Sequence, residues 1–371
     1  MGYMLRQQIT TKGALEAVPT WRYKLPSVGK FTAFELIVDC NRFAERADAD
    51  LIYPLESQIS KIEVVEGGSR AILSLTGSQL DAMNYWDFQQ PTARRHSEQT
   101  GSDNLIHLFI LAGRGLYDTK YGFDMTRLGE TYLEYSHALS ADAAEKFDVS
   151  SHTVYLYGWR WMGDGTPNFD GYFRTRQLAY WTTNAAATIH AVELPLGNPY
   201  RRIGVQAKTR ACTLGGAIDK LELSVNNGEF SPATVESMMH WCYQEVGEYH
   251  LRNHITGLDY LVGTDATDLP SWFSYGGSLQ VTQRDAADMT TIRVRPWENP
   301  MNMKAAATGN IPVAFDMTGY GFQKCLRIGF DHLEDGTDLF PTRGLGSFDL
   351  LVTEEAADKA VAVFAQDVLS Y

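Results

Sequence analysis

Apolar and polar residues alternate with a period of two in two short stretches that resemble each other. Residues 61–66 are KIEVVE, and residues 220–225 are KLELSV. A period of two predicts half-buried strands, and the Gly67-Gly68 and Asn227-Gly228 pairs that follow suit tight turns. We therefore predict the same β-hairpin at two places in the chain, separated by 159 positions.

The resemblance extends to both sides of the hairpin. A Leu-Pro pair precedes a strand-like run in each copy, at Leu25-Pro26 and again at Leu194-Pro195. After each hairpin, residues 76–86 and 231–241 show helical spacing of apolar residues, and we align Leu80 with Val235, Met83 with Met238 and Trp86 with Trp241. Thr76 and Ser231 are the predicted N-caps, with Pro232 in the first helical turn.

A looser echo closes each copy, where residues 153–157 and 360–364 form strand-like runs. The prediction is an all-β fold with a few helices, built from two similar domains in tandem. About eight strands separated by Gly and Pro turns in each domain favour two eight-stranded jelly rolls. The alternative is one large mixed β-protein in which two hairpins resemble each other by chance.

Length, charge and cysteine content are consistent with this organisation. A chain of 371 residues is longer than one hydrophobic core normally fills, which favours two domains. The net charge of −13 argues against a broad nucleic-acid-binding face, because phosphates require clustered Lys and Arg. No apolar run approaches the length of a membrane span. Four widely spaced cysteines without a CxxC motif suggest reduced, buried thiols.

Candidate chemistry is weak, and we predict no catalytic, cofactor-binding or metal site. His250 and His254 are four residues apart near His240 and Cys242, but Cys242 falls on the apolar stripe of the predicted helix. Other fragments resemble known sites and are interpreted as turns or structural pairs; they are Asp164-Gly165, the segment Asp335–Asp338, and Arg114 with Asp118. The aromatic run Gly158–Trp161 could stack on a sugar or base, but such residues more often pack at subunit contacts.

With tandem jelly rolls, the LPSVGKFTAFEL and SKIEVVEGGS segments, and ILAGRGLYDTKYGFDMTRL at 110–128, the chain resembles the double jelly-roll major capsid proteins. That family belongs to tailless icosahedral viruses, many of them bacteriophages with an internal membrane. The resemblance implies a structural, non-enzymatic protein located in the virion and assembled in the host cytoplasm. It also implies homotrimers that form pseudo-hexagonal capsomers, which would explain why the unit is doubled.

The resemblance implies a division of the chain into parts. We expect an N-terminal arm at 1–20, a first jelly roll at 21–160, a linker at 161–193 and a second jelly roll at 194–371. A long insertion at about 257–340 corresponds to a tower on the outer face. The expected partners are other copies of the chain, other capsid proteins, and an internal membrane contacted through the arm, with no specific nucleic acid.

Two other functions stay open on the sequence alone. A double jelly-roll carbohydrate-active enzyme or lectin would require a concave site, with a pair of carboxylates flanked by Trp in the enzyme. A minor capsid protein of the same virion would share the fold and differ in copy number.

Overall fold

Among the described residues, the long strands outside the insertion form two sets of eight, each interrupted by one α-helix. The computed structural model describes residues 2–13, 20–42, 54–96, 101–139, 147–209, 212–258, 278–284, 289–294, 311–319, 321–332 and 337–371. The α-helices within these ranges are α1 (Gly77–Phe88) and α2 (Val235–Val246). Neither described helix has the length and apolar character needed to cross a bilayer.

The described part of the first half contains ten strands, of which β6 and β8 are only two residues long. They are β1 (Tyr3–Lys12), β2 (Thr20–Lys24), β3 (Lys30–Arg42), β4 (Lys61–Glu66), β5 (Arg70–Leu75), β6 (Arg94–Arg95), β7 (Asp103–Leu111), β8 (Phe123–Asp124), β9 (Thr131–Ser136) and β10 (Phe147–Met162).

In the second half, twelve strands lie within the described ranges, and four of them belong to the insertion. The strands before the insertion are β11 (Gly171–Thr182), β12 (Ile189–Glu193), β13 (Tyr200–Ala207), β14 (Ile218–Val225) and β15 (Gly228–Thr234). Those of the insertion are β16 (Tyr249–Leu258), β17 (Ser278–Arg284), β18 (Met289–Val294) and β19 (Ile311–Gly319). The last three are β20 (Cys325–Gly329), β21 (Phe348–Glu354) and β22 (Ala360–Ser370).

Both halves have the same strand order. Counting the eight long strands of each half from one to eight, one sheet has the order 1-8-3-6 and the facing sheet has the order 2-7-4-5. In the first half these are β1-β10-β3-β7, extended by β6, and β2-β9-β4-β5. In the second half they are β11-β22-β13-β20 and β12-β21-β14-β15. Eight antiparallel strands in two such sheets form a jelly roll, so the chain contains two in tandem.

The two jelly rolls are joined edge to edge. Strand β5 of the first pairs in parallel with β11 of the second, at Leu73 with Thr175 and Ser74 with Arg176. This pairing merges β2-β9-β4-β5 and β11-β22-β13-β20 into one eight-stranded sheet, which we call the shared sheet. The other two sheets of the jelly rolls are the first sheet (β1-β10-β3-β7-β6) and the last sheet (β12-β21-β14-β15).

Residue positions correspond closely between the two halves. Strands β2 and β12 are related by a constant shift of 169 positions, and the same shift relates Leu25-Pro26 to Leu194-Pro195. The predicted hairpins are β4-β5 and β14-β15, with left-handed residues at their turns. In the first turn these are Gly67 and Gly68, whereas in the second they are Asn226 and Asn227, one position earlier than predicted.

The prediction of an N-terminal arm at residues 1–20 is wrong for those of its residues that the structure describes. Residues 3–12 form β1, which pairs with β10 along the edge of the first sheet, whereas residues 14–19 lie outside the described part. Pairing satisfies the backbone groups of β1 on one side and explains why so polar a segment is ordered. Residues 3–12 are therefore part of the first sheet and not a free arm that could reach a membrane.

The expected linker at 161–193 is also corrected. It contains β11 and β12, the first two strands of the second jelly roll, paired with β22 and β21 respectively. The connection between the jelly rolls is thus only residues 163–170. The first jelly roll begins at Tyr3, and the second begins at Gly171.

The second helix and the insertion differ in their bounds from the prediction. Thr234 is the N-cap of α2, and the predicted cap Ser231 and Pro232 belong to β15. The inserted sheet has the order β16-β19-β17-β18 and begins at Tyr249, whereas β20 already belongs to the second jelly roll. Residues 259–277, 285–288, 295–310, 320 and 333–336 of the expected insertion lie outside the described residues.

Candidate interaction surfaces

The residues considered as metal ligands are not brought together. Cys242 is buried on α2, and its thiol donates to the carbonyl oxygen of Arg327 at 3.0 Å. Burial raises the pKa of Cys242 to about 12, so the thiol stays protonated. His240 is exposed on α2, whereas His250 and His254 lie on β16, where the side chain of His254 is outside the description. Within the described ranges, no three His, Cys, Asp or Glu side chains cluster as metal ligands would.

Of the fragments that resemble known sites, the Arg114–Asp118 pair and Asp338 make structural hydrogen bonds. The Asp118 carboxylate accepts hydrogen bonds from the backbone N–H groups of Arg114, Lys120 and Tyr121, and pairs with the Arg114 guanidinium at 3.2 Å. These bonds outweigh burial and lower the pKa of Asp118. Asp164 is exposed in the turn after β10. Asp338 accepts from the backbone N–H of His332, whereas Asp335 lies outside the described residues.

Helix α1 fills the junction between the two jelly rolls. Nine of its twelve residues are buried. Its Asn84 side chain bonds the backbone of Phe109 on β7 of the first jelly roll, and its Gln79 side chain bonds Gln177 on β11 of the second. Trp86 stacks on Phe364 of β22 with ring centroids 5.8 Å apart. The Asp87 carboxylate accepts from Arg201 at 2.8 Å and from Arg202 at 2.6 Å, both on β13. Apolar packing and buried charge therefore hold the two jelly rolls as one unit.

A second buried polar cluster ties the first jelly roll to the segment before β20. Arg94 donates to Asp81 at 2.7 Å and to Glu56 at 3.1 Å. From the other jelly roll, the Gln323 amide donates to Glu56 at 2.9 Å. Burial raises the pKa of Asp81, and Arg94 opposes that shift. These buried hydrogen bonds fix the orientation of the side chains at the junction, because each polar group is held by its partner.

The outer face of the first sheet is rich in partly exposed aromatic residues. Alternate residues of β10 point to this side and are joined by side chains from β3 and β7. The set, which we call the aromatic face, consists of Tyr155, Tyr157, Trp159, Trp161, Ile37 and Phe109. A sheet face of this composition is typical of a surface that another protein surface covers. The run Gly158–Trp161, noted in the sequence, contributes two of its members.

One buried carboxylate lies in the middle of the aromatic face. Glu35 on β3 is 2% exposed and accepts hydrogen bonds from Arg6 at 2.7 Å and Trp159 at 3.0 Å, and it contacts His107 Nδ1 at 2.8 Å. Burial alone would raise its pKa, but the hydrogen bonds from His107, Arg6 and Trp159 outweigh burial and hold the pKa of Glu35 at about 2. Arg6 lies on β1, so Glu35 fastens the edge strand to the sheet.

The Glu35→Gln substitution is expected to destabilise the protein by about 1–3 kcal/mol at neutral pH, because an amide cannot accept all of these bonds. A lowered folded-state pKa stabilises the protein above the usual value of 4.5, and this contribution is lost as the pH falls towards 2. The difference between wild type and Glu35→Gln in urea denaturation should therefore shrink below about pH 4.5. A difference that stays constant from pH 7 to pH 2 would contradict this role.

Helix α2 presents a bare side where α1 is covered. Only four of its twelve residues are buried, and Trp241 and Tyr243 are 64% and 44% exposed. Trp241 also forms one wall of a groove of about 330 Å³, whose apolar lining includes Leu221, Leu223, Met238 and Phe330. In the second jelly roll, α2 therefore has an exposed apolar surface. In the first jelly roll, the corresponding helix α1 is buried at the junction.

Sequence reasoning missed the buried charged residues of the aromatic face and of the junction between the jelly rolls. Glu35 lies within the apolar run FTAFELIV, and Arg201-Arg202 follow a Pro-Tyr pair at the start of a buried strand. A charge inside a strand that is otherwise apolar was the available signal, because such a residue needs a buried partner. The identity of the partner could not be inferred, since Asp87 is more than 100 positions away in the sequence.

Comparison with known proteins supports the fold and provides no sequence relative. No protein family matches the sequence, and no curated protein is similar to it in sequence. Among solved structures, the MCP of STIV (Sulfolobus Turreted Icosahedral Virus) matches with a TM-score of 0.61 and 9% identity, covering 99% of this chain and 97% of that one.

Two further structures match over nearly their whole length. The major capsid protein of bacteriophage PM2 has a TM-score of 0.51 and 11% identity, with 100% of this chain and 98% of that chain covered. The PBCV-1 virus capsid has a TM-score of 0.55 and 9% identity, with 99% and 94% covered. The doubled strand order and these matches together establish that the chain has the double jelly-roll fold.

Proposed function

We propose that this chain is the major capsid protein of an icosahedral virus and that three copies form a pseudo-hexagonal capsomer. The observation that carries the proposal is the repetition of one eight-strand order in two jelly rolls joined side by side. A fold similarity to the proteins of the STIV, PM2 and PBCV-1 particles supports it. The proposed role is structural, so the functional surfaces are those through which copies of the chain pack against one another.

The junction inside the chain suggests how copies associate. Within one chain, the fifth strand of the first jelly roll (β5) pairs with the first strand of the second (β11). The equivalent strands β15 and β1 are both at sheet edges and have no such partner strand in the described chain. If copies repeat the internal junction, β15 of one copy meets β1 of the next. A head-to-tail contact of this kind closes into a ring when its rotation permits.

Three copies in such a ring place six jelly rolls around one axis, so a capsomer of three chains fits a lattice position with six neighbours. The proposed partners are therefore other copies of the chain within the capsomer, neighbouring capsomers and other capsid proteins of the virion. The proposal also makes the inserted sheet β16-β19-β17-β18 a tower on the outer face of the shell. It is supported by the position of that sheet between α2 and β20, outside both sandwiches.

The virion role is tested by counting copies in purified virus particles. Quantitative mass spectrometry of particles from the source of this sequence should find the chain as the most abundant protein of the shell. A minor or vertex protein of the same fold would be present at a small fraction of that number. Absence of the chain from the particles, or a count of a few copies each, would contradict the proposal.

A further inference from the structure

Helices α1 and α2 begin in the same way, which fixes their correspondence. The Thr76 hydroxyl accepts a hydrogen bond from the backbone N–H of Gln79, and the Thr234 hydroxyl accepts one from Ser237. Both threonines are N-caps with extended backbone. Gln79 and Ser237 therefore occupy the same position, the third residue of their helices.

Strands β1 and β11 correspond just as closely. Each pairs with the eighth strand of its jelly roll, and each pairing shifts register at one place, between Gln8 and Thr10 in β1 and between Gln177 and Ala179 in β11. Before the shift, Gln8 lies opposite Tyr157, and Gln177 lies opposite Phe364. Gln8 thus corresponds to Gln177, at the same 169-position shift found for β2 and β12.

The junction inside the chain shows how the first of these helices packs on the sheet of the other jelly roll. The Gln79 side chain on α1 donates to the Gln177 side chain on β11 at 3.0 Å. Two turns later on the helix, Trp86 stacks on Phe364. The outer face of β11-β22-β13 is covered by α1, and every residue of β13 is buried.

In the single chain, one side of the equivalent helix is exposed and the equivalent sheet face is only partly covered. The ridge of α2 that contains Ser237, Trp241 and Gln244 is exposed, and the aromatic face around Tyr157 is partly exposed. Inside the chain, α1 packs on the outer face of β11-β22-β13. Helix α2 corresponds to α1, and the aromatic face corresponds to the outer face of β11-β22-β13, so α2 and the aromatic face have the same relationship to each other. They belong to different jelly rolls, beside the outer edge strands β15 and β1, so we assign the contact between them to two copies of the chain.

We infer that α2 of one copy docks on the aromatic face of the next copy, with Ser237 beside Gln8 and Trp241 against the aromatic rings. The inference rests on the proposed capsomer and adds the surface that each copy uses. It explains why α2 keeps a 64% exposed Trp on a side that α1 buries. It also gives the Glu35 cluster a second role, since Arg6 and Trp159 are held in place for the incoming helix.

The contact is tested by a disulfide between copies. All four native cysteines are buried, so the Gln8→Cys/Ser237→Cys variant adds the accessible thiols at chosen positions only. Mild oxidation should give covalently linked dimers and trimers on a non-reducing gel, and a reductant should reverse them. The matched control is Lys12→Cys/Ser237→Cys, which moves one thiol about 13 Å along β1, beyond disulfide reach.

The outcomes separate this inference from the proposed function. If trimers form but the Gln8→Cys/Ser237→Cys variant links no better than the Lys12→Cys control, the docking surface is wrong and the capsomer stands. If the unmodified protein forms no trimer in light scattering, both are wrong. Linking of the first variant alone, within trimers, supports both.

A second variant tests the energetic role of the helix. Trp241→Glu places a charge on the exposed ridge and should raise the concentration at which trimers dissociate by about tenfold or more. The matched control is Tyr117→Glu, because Tyr117 is also a large exposed aromatic residue, at 68%, on the loop between β7 and β8. Equal effects of the two substitutions on trimer dissociation would overturn the role of Trp241.

Discussion

Replacing Asp87 with alanine is expected to lower the free energy of unfolding by about 3–5 kcal/mol. Asp87 is the carboxylate that both Arg201 and Arg202 contact at the junction, at 2.8 and 2.6 Å. The Arg202 side chain is 1% exposed, and burial lowers its pKa to about 9 while Asp87 opposes the shift. Without Asp87, this buried guanidinium loses its counter-charge in a place that water does not reach.

The measurement is urea denaturation followed by tryptophan fluorescence, with Asp164→Ala as the matched control. Asp164 is an exposed aspartate in the turn after β10, so its removal should change stability by no more than about 0.5 kcal/mol. If Asp87→Ala were as stable as this control, the buried charges at the junction would not hold the jelly rolls together.

Trp86→Ala is the second substitution with a large expected effect, also about 3–5 kcal/mol. Trp86 is 2% exposed, stacks on Phe364, and has the Arg202 guanidinium 5.6 Å above its ring. Truncation to alanine leaves a cavity between two rigid sandwiches, and neither can collapse into it without breaking sheet hydrogen bonds.

The matched control for Trp86→Ala is Trp86→Phe, which keeps an aromatic ring over Phe364 and should recover most of the lost stability. Urea midpoints of the two variants give the comparison. Equal losses for alanine and phenylalanine would show that the ring stacking has no special role, and a negligible loss for alanine would contradict the packing of α1 at the junction.

The repeat could be predicted from the sequence because each of its hairpins has one solvent-exposed face and one buried face. In β4 and β14, Lys and Glu alternate with apolar residues, and this pattern records which side faces the core. The turns were predicted for the same local reason, since left-handed backbone needs Gly or Asn. The alternation and the turn residues of each hairpin lie within a short segment of the sequence, so they can be identified without knowing any distant contact.

The first strand of each jelly roll could not be predicted in this way. Strand β1 is mostly exposed, and its apolar and polar residues do not alternate regularly, so it lacks the pattern that marks β4. Its order comes from pairing with β10, about 150 positions later, and β11 depends in the same way on β22. Such strands looked like an arm and a linker because their stabilising contacts are far away in the sequence.

The alignment of the two helices shows how a shared residue type can mislead. Trp86 and Trp241 suggested one correspondence, but the caps Thr76 and Thr234 show that Trp241 occupies the position of Met83. The hydrogen bonds of the first turn define a helix start, whereas an apolar ridge repeats every three or four residues and permits a slip of one turn. Only the corrected alignment places Ser237 opposite Gln8 of a neighbour.

The central claim is that three doubled chains form one six-block ring, and the mass and outline of the purified protein test it most directly. Light scattering should give three times the mass of one chain, and electron microscopy of the same fraction should show a closed ring of six similar lobes with threefold symmetry. A stable monomer at micromolar concentration, or a dimer with twofold symmetry, would contradict the account.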